Sequence, residues 1–310
     1  MEILGQLLNA LPGSVSQGLI WGIMAIGVYI TSRILDVADL TVDGSFATGG
    51  AVAVMLILNG CNLWLAMLLA FVAGLIAGAV TGLLHTLMGI PPILAGILTQ
   101  LSLYSINLKI MGKANQSVNV NQTDLLISLR WVKELAFHNP LITDGIVIIV
   151  LIAVLYWFFG TETGCALRAT GANINMSRAQ GINTSFNKVL GIMLSNGLVA
   201  FSGAFLAQYQ GFADVKMGQG AIVIGLAAVI IGEAIFGKIF KNFALRLLSV
   251  ALGSVIYYIV VQAVITMGLD ANLLKLLSAV IVAIFLAIPY WKNQHKAKHM
   301  VKSKGGKANA

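Results

Sequence analysis

Apolar runs long enough to cross or nearly cross a bilayer follow one another along the whole chain, at 14–32, 46–60, 62–86, 92–111, 142–159, 187–209, 219–237, 243–267 and 272–290. A hydrocarbon core about 30 Å thick needs about 20 helical residues to span it, and inside it every backbone N–H and C=O must find an internal partner. The pattern therefore predicts an all-α fold, a polytopic transmembrane bundle of about 8–10 spans. Composition agrees: 58% of residues are hydrophobic and 10% charged, against roughly 45–50% apolar in soluble domains. No stretch is left over for a soluble domain of ordinary size, so residues 1–290 read as one transmembrane domain and 291–310 as a basic, disordered tail. The start, MEILGQLLNALPGSVSQG, has no basic n-region and no small-residue cleavage signature, so the first run is expected to stay in the protein.

Charge orients the bundle. With Lys292, Lys296, Lys298, Lys302, Lys304 and Lys307 of the tail in the cytoplasm, alternation places Arg33, Arg168, Arg178, Lys188, Lys238, Lys241 and Arg246 inside as well. Lys109, Lys113, Arg130, Lys133, Lys216 and Lys275 fall outside, the asymmetry that the positive-inside rule demands, and the N-terminus comes out external. Trp157, Tyr290 and Trp291 stand near inner boundaries and Trp64 near an outer one. The net charge of +8 is thus a topology signal that also favours anionic lipid, and no nucleic-acid partner is expected. Cys61 and Cys165 fall near opposite faces, which argues against a disulfide.

Polar residues between the runs carry the functional reading. In ILDVADLTVDGSFATGG, residues 34–50, Asp36, Asp39 and Asp43 lie between two apolar segments, and small residues follow. Carboxylates so near hydrocarbon are costly unless paired or hydrated, and a broken helix would place them on a cavity. Asp39, Thr41, Asp43, Gly44, Ser45 and Phe46 are therefore candidate walls of a translocation path; the plainer alternative is a capped loop beside Arg33. Ala213–Asp214 echoes Ala38–Asp39 ahead of a second glycine-rich entry, Gly218 included, as an inverted repeat would. Glu233, nearly alone in its run, joins the path candidates or forms an ion pair with Lys238 one turn away.

In GCALRATGANINMSRAQGINTS, residues 164–185, Gly164 and Gly171 are expected to loosen the approach. Asn173 can cap two helical turns over 174–180, and Gly181 suits the left-handed position that ends them. Met176, Ala179 and Gln180 share one face of that helix and Arg168 and Arg178 flank it, so it reads as a docking element; a solvated loop is the plainer alternative. Outside, Leu125, Leu126, Leu129, Val132, Leu135 and Ala136 recur at helical spacing behind Thr123–Asp124, which predicts an amphipathic helix on the membrane surface that either docks a partner or packs on the bundle. His85, His138, His295 and His299 are not arranged as metal ligands within spans, and no GxxxxGK[ST] loop is present. The chain reads as a non-enzyme that needs no cofactor or metal, with its energy supplied by a partner or an ion gradient; an ion-coupled carrier using Glu233 or the 39–43 carboxylates is the alternative.

GCALRATGANINMSRAQGIN, followed by SNGLVAFSGAFLAQYQGFADVKMGQGAIVIGLAAVIIGEAIFG, resembles the permease subunit of bacterial ABC importers of the branched-chain amino acid and ribose type. ILDVADLTVDGSFATGGAVAV and HTLMGIPPILAGILTQLSLYSINLKIMG resemble more closely the subfamily that accompanies tryptophan or tyrosine binding lipoproteins. The resemblance extends from about residue 15 to 290 and implies a bacterial cell-membrane permease moving a small solute, an amino acid and by the subfamily an aromatic one. It further implies a second permease copy, cytoplasmic ABC ATPase subunits and an external solute-binding lipoprotein. The family's coupling helix maps onto the loop 160–187, which makes Arg168, Gly171, Asn173, Met176, Arg178, Ala179, Gly181, Ile182 and Asn183 the implied ATPase contacts.

Overall fold

The computed structural model describes residues 2–118, 125–129, 139–268 and scattered positions between 273 and 287. Helix α1 (Glu2–Tyr29) passes through Pro12 and ends in a π-helical turn, Ile30–Ile34. It is followed by α2 (Val42–Leu58), α3 (Leu63–Thr86), α4 (Pro92–Met111), a short strand β1 (Asn115–Ser117) and α5 (Pro140–Gly160). A shorter pair, α6 (Glu162–Ala172) and α7 (Ile174–Ala179), leads into α8 (Thr184–Gln210), strand β2 (Phe212–Asp214), α9 (Ala221–Phe236) and α10 (Phe243–Thr266). Among the described residues, six helices are long and apolar enough to cross a membrane, and α2 and α9 are shorter apolar helices.

The first helix starts well before the expected run at residue 14, and the stretch apolar enough to span begins at Gly5. The expected ninth run, 272–290, with Tyr290, Trp291 and the tail, lies outside the continuously described residues. So do Thr123, Asp124 and 130–138 of the external amphipathic segment. Its described part corrects the expectation: Leu125–Leu129 forms no α-helix, and Leu125 and Ile127 are buried in the core. The Leu126 N–H donates to Gln208 Oε1 at 3.1 Å, which holds this stretch on the bundle.

Two helices form the centre. In α1 and α8, 78% and 72% of the apolar window is buried, against 28% and 22% in α4 and α5, which line the outside with leucine and isoleucine suited to lipid. Small residues let the backbones approach: a Cβ on Gly49 of α2 would strike the Ala200 carbonyl of α8, and one on Gly203 of α8 would strike the Phe46 carbonyl. Hydroxyls add polar ties where lipid offers no competing hydrophobic drive. Ser195 and Ser202 of α8 donate to the Gly27 and Ile20 carbonyls of α1, both at 2.7 Å, and Ser254 of α10 donates to the Gly18 carbonyl.

The helix pairings repeat with partners exchanged. α8 packs on α2 and α3, while α1 packs on α9 and α10, and within each set the short helix packs on the long one that follows it. A long helix, a break, a short helix and a long helix thus occur twice, each unit's first helix seated on the other unit's last two. That exchange is the arrangement inverted repeats produce, and it brings the ends of the two breaks, 35–41 and 211–220, against each other at the starts of α2 and α9.

Candidate functional site

The first break holds its polar groups inside the protein. Asp39 accepts the Thr41 N–H at 2.9 Å on one carboxylate oxygen and Asn196 Nδ2 of α8 at 2.6 Å on the other. Asn196 Oδ1 accepts from Ser45 Oγ at 2.6 Å. Beside them the Thr41 hydroxyl meets that of Thr81 in α3 at 2.7 Å, and Thr81 donates to Thr99 of α4 at 2.9 Å. Asp39, Thr41, Ser45 and Asn196 are all buried, and Phe46 stacks on Trp21 with ring centroids 4.9 Å apart. A polar seam of this kind ties four helices together, its members reaching across helices as well as back to their own, as Asn196 Nδ2 does to the Ile192 carbonyl at 3.0 Å and Thr99 to the Ala95 carbonyl at 3.1 Å.

Asp43 does something different. Its two oxygens accept the Gly220 and Ile222 N–H groups at 2.9 and 3.0 Å, so a carboxylate in the first turn of α2 caps the first turn of α9. Gly218 has no room for a Cβ against the Asp43 carbonyl. The N-termini of the two short helices therefore abut, and the positive ends of both macrodipoles converge on one carboxylate. Asp43 and Gly44 border a small cavity, whereas the side chains of Asp39, Thr41, Ser45 and Phe46 are taken up by helix packing. Glu233 is placed elsewhere: its partner is Arg33 at the end of the first helix, Nη2 to Oε2 2.7 Å, in place of the neighbouring Lys238.

In the loop between α5 and α8, Asn173 accepts the Met176 N–H at 3.0 Å and starts α7, Gly181 has φ +78°, and Asn183 accepts the Phe186 N–H at 3.0 Å and starts α8. Three local signals in the sequence thus become three caps. Met176, Ala179 and Gln180 stand exposed with Phe186 nearby, Ser177 faces inward, and Ile182 is half-buried. Arg178 Nε donates to Thr184 Oγ1 at 3.0 Å, and Arg168 donates to the Phe159 carbonyl at 2.9 Å, so both arginines brace the turn. Gly164 and Gly171 do not loosen the approach. They lie within α6, where a Cβ would strike the Phe158 and Ile34 carbonyls respectively, and their smallness serves contact with α5 and with the π-turn of α1.

Sequence inspection does not single out Asn196, Thr81, Thr99, Gln100, Asn107 or Gln219. The available signal is a polar residue inside an apolar run, which by itself does not separate a helix-packing hydroxyl from a cavity wall.

Two broken spans meeting end to end within a bundle of long apolar helices define the class as a polytopic membrane protein. The chain belongs to the family described as the permease component of the branched-chain amino acid transport system, which it matches over residues 11–289. It is 38% identical to a tyrosine transport system permease protein of Clostridioides difficile, covering 88% of this chain and 89% of that one. With a fructose import permease protein of Bifidobacterium longum it shares 28% identity over 88% and 75% of the two chains. A solved structure described as an inward-facing metal-chelate type ABC transporter superposes with a TM-score of 0.50 at 15% identity, covering 91% of this chain and 85% of that one, a likeness of fold. The chain is a transport component and not an enzyme.

Proposed function

We propose that this permease is the membrane-spanning subunit of an ATP-driven importer, and that its cargo is an amino acid, aromatic ones first. The observation that carries the proposal is α7: a short helix capped at both ends, with Met176, Ala179 and Gln180 exposed, on the side of the membrane that charge assigns to the cytoplasm. A chain without a phosphate-binding loop needs such an attachment for an ATPase. The family supports it, and the tyrosine transport relative supports the cargo. The remaining assembly follows the same reading: two cytoplasmic ABC ATPase subunits, a second permease copy and an external solute-binding lipoprotein. The N-terminus is external, and the tail 291–310 lies against anionic lipid of the inner leaflet of a bacterial membrane.

ATP binding and hydrolysis would move α7, and the two breaks would convert that motion into alternate opening, with Asp43, Gly44 and Gly218 on the path and the Asp39 seam beside it. Arg178 is committed to Thr184, so Met176 and Ala179 are the cleaner probes of docking. Ala179→Trp should cut copurification with the ATPase at least about tenfold, the effect of a clash on the order of 1.4 kcal/mol, while leaving thermal unfolding of the permease unchanged. Full copurification and normal transport with tryptophan at 179 would remove α7 from the coupling role.

A further inference from the structure

The cavity beside Asp43 contains an unexplained group. It lies between α2, α4 and the second break, has a volume of about 110 Å³, and is lined by Asp43, Gly44, Gln100, Tyr104, Asn107 and Gln219. Asn107 is 0% exposed, and neither its Oδ1 nor its Nδ2 has a hydrogen-bond partner among the described residues. Leaving a buried polar group unpaired costs on the order of 1–3 kcal/mol, and an amide leaves several bonds unmade at once. Other buried amides here are engaged: Asn196 uses both ends, and Gln208 Oε1 accepts from Leu126. Asn107 is therefore a side chain whose partner comes from outside the fold.

The chemistry of that partner follows from the lining. The ionisable acid on the wall is Asp43, and no lysine, arginine or histidine lines the cavity. Asp43 has spent one lone pair on each oxygen on the α9 backbone and retains others, since a carboxylate can accept about four bonds. An acceptor amide oxygen, a carboxylate and two further side-chain amides suit a group that donates several hydrogen bonds and carries positive charge. The volume matches a few waters at about 30 Å³ each, the size of a head group and too small for an aromatic ring. We propose that this cavity is a transit site for the ammonium end of an amino acid, with Asn107 Oδ1 and the Asp43 carboxylate as its acceptors and the remainder of the cargo outside it. This rests on the reading of the chain as an amino acid importer.

Thermal unfolding of the purified full chain in detergent tests it with defined probes. Tyramine and L-tyrosine amide carry the ammonium without a free carboxylate, and 3-(4-hydroxyphenyl)propionate carries the carboxylate without the ammonium. The two amines, at millimolar concentration, should raise the midpoint by about 2–5 °C, the shift for a ligand near ten times its Kd, and the acid should not. Asn107→Leu should abolish the shift without lowering the protein's own midpoint, because it removes an amide that had no partner. Equal shifts by amines and acid, a shift that survives in Asn107→Leu, or no shift with either amine overturns the proposal. Energised uptake of L-tyrosine by cells carrying the complete system is scored separately: its absence condemns the importer reading, and its presence with unshifted midpoints condemns the cavity alone.

Discussion

The two breaks begin alike and end in different surroundings. Each opens with an aspartate that accepts the N–H two residues on, Asp39 from Thr41 at 2.9 Å and Asp214 from Lys216 at 2.7 Å, and each leads to a short helix. Asp39 turns its second oxygen to Asn196 in the interior, whereas Asp214 turns its second oxygen to Asn115 at 3.4 Å across the two-stranded ribbon, where Asn115 pairs with Asp214 in register. One turn logic thus serves two purposes. The first break is locked into the packing of four helices; the second is held at the rim by a ribbon that water can reach. Dielectric surroundings, not the local turn, set what each aspartate is worth.

Substitutions can break that contrast. The largest effect is expected from Asp39→Ala, which takes the buried acceptor from the Thr41 N–H and one of two acceptors from Asn196 Nδ2, the Ile192 carbonyl remaining: about 3 kcal/mol, read as a clear fall in thermal midpoint. Gly203→Leu comes next, at about 1–3 kcal/mol, because its side chain must displace the Phe46 backbone where α2 meets α8. Asp43→Ala removes a cap supplied from another helix and should cost about 1 kcal/mol, with faster amide exchange confined to the first turn of α9. Asp214→Ala should cost at most about 1 kcal/mol, since its partners are solvent-reachable. A midpoint loss for Asp214→Ala equal to that for Asp39→Ala would mean that the breaks are equivalent after all. A double-mutant cycle on Asp39 and Asn196 sharpens the point: coupling between about 0.5 and 3 kcal/mol is expected for a shared network.

What could be read from sequence was whatever is decided locally or by composition. Apolar runs give spans because hydrocarbon length is a fixed demand. Asn173 and Gly181 are legible as caps because a cap is settled within a few residues, and the cap that Asn183 supplies to α8 is of the same local kind, though sequence inspection does not single it out as one. Partnerships across the chain could not be read: Glu233 faces Arg33 and not Lys238, since which helix ends adjoin is a property of packing. Gly164 and Gly171 look like breakers, yet occupy a helix whose neighbours leave no room for a Cβ. Asp39 and Asp43, four residues apart and both plausible path residues, separate only once α8 and α9 are in place. Asn107 is fully buried and Ser105, two residues before it on the same helix, is exposed, a difference set by the segments that pack on α4 and not by the apolar run around them.

Gly171 seats the α6–α7 arm directly on the Ile34 carbonyl, backbone against backbone, at the last residue of the π-turn. A joint without an intervening side chain has no rotamer in which to lose motion, so it behaves as a gear mesh with little backlash. The driven tooth is the end of α1, and the next turn of chain, from Asp36 with φ +54° to Asp39, is where the first repeat breaks. A path of a few residues thus leads from the α6–α7 arm to the centre of the bundle, without crossing α4 or α5.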